Sequence, residues 1–154
     1  MRRTSIAVLA VLALLSAGAG FGFDHMLTAA GRATFVPSVF LPVLLVLLAV
    51  FVLALAWPVR RSVRGGARID PFRALRAATL ARASSLLGAI LLGFGAGLLA
   101  FLTTRPVPAQ VGSTVAMTAL IVGALVLISA AMVAEQFCTL PKDSDDREPD
   151  DPAP

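Results

Sequence analysis

The chain has 154 residues, is 58% hydrophobic and has a mean hydropathy of +0.88, too apolar for a soluble domain and typical of a membrane protein. Its formal charge of +4 comes from twelve Arg and one Lys against nine acids. These basic residues flank apolar runs and are not interleaved with aromatics, which argues against a nucleic-acid surface, and the single cysteine, Cys138, excludes an internal disulfide and a cysteine metal cluster.

Met1-Arg2-Arg3 precedes an apolar run over residues 5–23, long enough to span a bilayer. The basic start and Ala17-Gly18-Ala19 also fit a signal peptide, but the run stays apolar as far as Phe23, so an uncleaved anchor is expected. Residues 24–35 read as a short polar connection holding Asp24, His25, Gly31 and Arg32. His25 has only Asp24 beside it, too few ligands for a metal, and is expected to be a solvated loop histidine. The second span covers residues 36–57, with Pro37 and Pro42 in its opening turns, Trp57 at the interface and Pro58 as its stop.

Residues 58–82 form a basic connection with Arg60, Arg61, Arg64, Arg68, Arg73, Arg76 and Arg82, offset by Asp70 alone. Gly65-Gly66 makes it flexible at one point. Such a cluster keeps a loop in the cytosol. It can also hold anionic lipid headgroups, at about 1 kcal/mol per basic residue near the surface, and Arg60, Arg61, Arg64, Arg68, Arg73 and Arg76 are the candidates. No glycine-rich loop precedes a Lys-Ser/Thr pair, so nucleotide phosphate binding is not indicated.

Asp70 suits an N-cap and Pro71 a first helical position, and no proline follows before Pro106. One long helix therefore starts here and contains the third span, residues 83–103. Within it Ala81, Ser85, Ala89, Gly93 and Gly97 recur every fourth residue. Such a ridge of small side chains lets another helix backbone come close, from this chain or a second copy. Leu91 and Leu98 are expected to matter much less.

Residues 104–110, with Pro106 and Pro108, make an external turn into a fourth span over residues 111–133. Glu135 follows it at the depth of Arg82 on the antiparallel neighbour, so the two are expected to pair, with Arg76 as second choice. Residues 142–154 carry six acids and are expected to be disordered. Eleven basic residues fall on the side of the two termini, and only Arg32 and Arg105 on the other, so both termini are expected in the cytosol. The expected fold is an all-α integral membrane domain of four transmembrane helices over residues 1–141, followed by the acidic tail.

Several stretches carry a resemblance. They are Ala56-Trp57-Pro58-Val59-Arg60-Arg61, Asp70-Pro71-Phe72-Arg73-Ala74, Leu80-Ala81-Arg82-Ala83-Ser84, Gly88-Ala89 through Gly93, and Glu135 with Cys138 and Leu140-Pro141. Together they resemble the small actinobacterial membrane proteins grouped as domain of unknown function 3180. The similarity covers most of residues 57–141 and the first span loosely, and Gln136 and Thr139 stand where basic residues are usual. It implies a bacterial inner-membrane protein with four spans, and no activity.

The spans so drawn hold no His, Asp, Lys or Arg, and Ser16, Ser85 and Ser129 have no base near them in sequence. No catalysis, cofactor or metal is expected. The expected role is scaffolding, by binding anionic lipid headgroups and a membrane-protein partner or a second copy. The alternative is a small transporter or a subunit of a transport complex. That would need a charged group inside the bundle, and Glu135, at a helix end, is the one candidate.

Overall fold

The computed structural model describes residues 5–65, 71–104 and 111–138. Asp70, Arg68, the turn over 105–110 and the tail over 142–154 lie outside the described residues, as do the side chains of Arg60, Arg61, Arg64 and Arg73. The described residues form four helices and no strand: α1 (Ile6–Ala29), α2 (Phe40–Gly65), α3 (Pro71–Thr104) and α4 (Val111–Cys138). Each contains a stretch long and apolar enough to cross a membrane, so the fold is all-α and of the multi-pass membrane type.

Several helix ends differ from the sequence expectation. α1 does not stop at Phe23 but runs through Asp24 and His25 to Ala29. Gly31, at φ +70°, ends it. The Arg32 N–H donates to the Leu27 carbonyl at 2.9 Å and the Gly31 N–H to the Thr28 carbonyl at 3.0 Å. That pair of bonds needs one left-handed residue just past the helix, which glycine adopts without strain. The connection is therefore residues 30–39, and His25 is a helical residue, not a loop one. At the other end, Pro58 does not stop α2, which continues to Gly65. Pro58 removes one hydrogen bond, to the carbonyl four residues earlier, and the helix tolerates that loss near its end. Pro37 lies ahead of α2, while Pro42 is its third residue, where no intrahelical N–H is forfeited.

Direction follows from which backbones meet. A side chain at Gly93 would strike Ala13 and one at Gly97 would strike Ala17, so α1 and α3 run the same way. Gly88 faces Ala124 and Ile128 while Gly95 faces Leu120 and Ile121, so α3 and α4 are antiparallel. Among the described residues α1 packs on α3 alone, whereas α3 also meets α4 and α2, and α4 also meets α2. The core is three small clusters along that assembly. Leu45 and Ala49 of α2 meet Leu120, Ala124, Leu127 and Ala130 of α4. Val52 and Ala56 meet Ala81 and Ala134. Leu98 and Leu102 meet Met117. Large apolar side chains elsewhere, such as Leu14 and Phe40, are mostly exposed, as lipid-facing residues should be.

Candidate functional site

The five small residues of α3 are all buried, Ala81 and Ser85 completely. They do not line one interface. Four residues turn a helix by about 400°, so a ridge with that spacing drifts by about 40° per step and about 160° from Ala81 to Gly97. Ala81, at one end, packs with Val52, Ala56 and Ala134 of α2 and α4. Gly93 and Gly97, at the other, receive α1. A single row thus serves α2 and α4 at one end and α1 at the other, on nearly opposite sides of α3. On α1 the answering face is Ala13, Ser16, Ala17 and Gly20, and a Cβ at Gly20 would come within 2.5 Å of the Phe94 carbonyl oxygen. This seam is backbone against backbone.

At the basic end, Arg82 Nε lies 3.9 Å from Glu135 Oε1, with the arginine side chain 40% exposed and the glutamate 15%. The Ser85 hydroxyl donates to the Arg82 carbonyl at 2.9 Å, so it is turned back onto its own helix. At this distance and exposure the ion pair contributes below about 1 kcal/mol. Arg76, one and a half turns earlier, is exposed. Glu135→Arg and Arg82→Glu are each expected to lower accumulation in the membrane, with partial recovery in the double swap. No recovery, while a topology reporter reads unchanged, would show that the pair does not matter.

The far end holds what the sequence reading missed. Asp24 is fully buried on the α3-facing stripe of α1, one turn beyond Gly20. The Phe35 N–H donates to its Oδ1 at 2.9 Å, across eleven residues, and ties the connection to the helix. Its Oδ2 has no hydrogen-bond partner. Rings surround this end. Phe21 and His25 both set an edge to Phe101, at 5.3 Å and 6.1 Å between centroids, and Phe23 meets Phe35 and Phe94 at 5.9 Å and 6.0 Å. The Thr28 hydroxyl points back to the Asp24 and His25 carbonyls. Among the described residues no three His, Cys, Asp or Glu side chains come together.

One comparison decides the family. A family model described as "Protein of unknown function (DUF3180)" matches residues 6–142. The chain belongs to that family. The DUF3180 match takes in all four helices, and with them the glycine seam, the Arg82–Glu135 pair and Asp24. No curated protein and no solved structure matches the chain.

Asp24 was readable in principle. Gly31 is a helix stop signal, and placing it as one would have put Asp24 inside α1, four residues beyond Gly20 on one face. The burial of its carboxyl was not readable, because it depends on the 30–39 connection folding over it.

Proposed function

We propose that this is a non-catalytic, multi-pass protein of the bacterial inner membrane, with both termini in the cytosol, that holds anionic lipid headgroups and a membrane-protein partner at its basic end. The observation that supports this reading best is the charge at that end. Seven arginines fall between residues 60 and 82 against Asp70, and Arg76 is exposed. Such a cluster attracts anionic leaflets beyond what orientation alone needs. The test is purification in mild detergent from the native host. The wild type is expected to retain anionic lipid and a stoichiometric partner. A variant with Arg60, Arg61, Arg64, Arg68, Arg73 and Arg76 all changed to Gln is expected to lose the lipid severalfold. Equal lipid retention by both would sink the headgroup role. A reporter placed after Gly66 that reads external in the wild type would overturn the orientation.

A second reading, a small proton-coupled transporter or a subunit of a transport complex, is favoured by one observation. Asp24 is an acidic side chain turned into the bundle, the kind of group such proteins depend on. Proton-coupled uptake into vesicles holding the pure protein would support it over scaffolding, and pure vesicles without uptake would count against it.

A further inference from the structure

We propose that the acidic tail, residues 142–154, docks on the arginine-bearing ends of α2 and α3 and is the occupant of that surface within the chain. The docking rests on neither reading above; its consequence, competition with anionic headgroups, rests on the first. Helix direction brings the two together. α3 and α4 are antiparallel, and Arg82 lies 3.9 Å from Glu135, so the chain leaves α4 at the end where α3 begins. α2 runs with α4, since Pro42 backs Gly123 and Ala56 meets Ala134. Ala56, Ala81 and Ala134 share one cluster and so mark a common level. At about 1.5 Å per residue, Arg60 and Arg64 on α2 stand about 6 and 12 Å beyond it. Arg76 and Arg73 on α3 stand about 7.5 and 12 Å beyond it, and Cys138, the last residue of α4, about 6 Å.

Charge and reach then select the occupant. Among the described residues this end holds one acid, Glu135, and Arg82 engages it. The tail carries six acids from Asp143 to Asp151 against Lys142 and Arg147. It has almost no apolar side chain, so burial cannot hold it, whereas guanidinium forks can grip its carboxylates. Asp143 is five residues past Cys138, a span of up to about 17 Å, and packed helix axes stand about 8–10 Å apart. Every acid of the tail therefore reaches the arginine positions on both helices, and its tether keeps it at a local concentration on the order of millimolar. Headgroups reach less far. Trp57, Arg82 and Glu135 follow the common level and mark the edge of hydrocarbon, beyond which the headgroup layer extends about 5–8 Å. The positions of Arg60 and Arg76 fall within that layer, and those of Arg64 and Arg73 stand past it. Other charges at this end lie elsewhere. Arg2 and Arg3 precede α1, which packs on α3 alone and, through Ala13 opposite Gly93, begins about level with Leu86. Arg68 and Asp70 lie outside the described residues and form no part of the surface.

Paramagnetic relaxation in the full chain tests this, with Cys138→Ser and a spin label attached through Ala153→Cys. In nanodiscs of neutral phosphatidylcholine at low salt, the amides of residues 74–80 are expected to relax at least threefold faster than in a chain whose six tail acids are changed to Asn or Gln. The amides of residues 111–116, at the far end of α4, should relax alike in both. Salt at about 1 M, where the screening length is about 3 Å, is expected to abolish the difference. Arg64→Gln with Arg73→Gln should at least halve it. Equal relaxation with acidic and neutralised tails in neutral discs would overturn the docking and leave the surface to headgroups or a partner protein. A difference that survives 1 M salt would overturn it too. Discs containing anionic phosphatidylglycerol test the competition, and there the acidic tail is expected to be displaced in part. A tail that docks in neutral discs and is not displaced by phosphatidylglycerol would uphold the docking and count against the headgroup reading.

Discussion

Changing Gly93 and Gly97 together to leucine is expected to release α1 from the rest of the bundle. A Cβ at Gly93 would overlap the Ala13 carbonyl and the Ser16 hydroxyl, and one at Gly97 would overlap the Ala17 carbonyl. Most of these are backbone atoms, which cannot rotate away as a flexible side chain can. Overpacking of this kind costs about 1–3 kcal/mol per site. The substitutions also remove the close approach that permits Cα–H···O contacts, each contributing roughly 0.5–1 kcal/mol. Nothing else compensates, because α1 packs on no other helix among the described residues. A cross-link engineered between α1 and α3 should disappear, and thermal unfolding in mild detergent should begin earlier. Leu86→Ala and Ile90→Ala, at positions 36% and 41% exposed on the same helix, are expected to change neither. Equal damage from both pairs would remove the case for a special face.

Leu98→Ala is expected to be the most damaging single truncation on α3, against the sequence expectation that it would matter little. Leu98 is completely buried against Leu102 and Met117. In a water-soluble core such a change costs about 2–5 kcal/mol. In a bilayer the unfolded helix still keeps its leucine in hydrocarbon, so the transfer part of that cost falls away. What remains is the cavity and the lost contacts, placing the effect at the low end, about 2 kcal/mol. Reversible unfolding in mixed detergent micelles measures it. A shift no larger than that of Ile90→Ala would show that Leu98 is not packed as described.

These two cases show where sequence reasoning reaches and where it stops. The long helix begun by Pro71 and the four apolar stretches follow from local rules and composition, and α3 spans Pro71–Thr104. The ridge from Ala81 to Gly97 was visible as a pattern, but its division between α1 and the α2–α4 pair depends on helical drift and on where the neighbours stand. Leu98 could not be told from a lipid-facing leucine, since lipid and protein interior are equally apolar and hydrophobic periodicity loses its meaning. α3 as a whole has no apolar side to distinguish. Asp24 was misplaced for a different reason, because a polar pair, Asp24-His25, looked like the end of a span when it was the last stretch of one.

The parallel pairing of α1 with α3 also dictates an order of construction. α1 is made first, yet its packing partner is the third helix, and α2 comes between them. At about 5–20 residues per second, the 75 residues separating Ala29 from Thr104 take on the order of 4–15 s to synthesise. For that interval the first helix sits in the bilayer as a lone segment, its glycine-bearing face turned to lipid. Biogenesis therefore includes a capture step, in which a helix that was inserted early is collected by one that arrives two spans later.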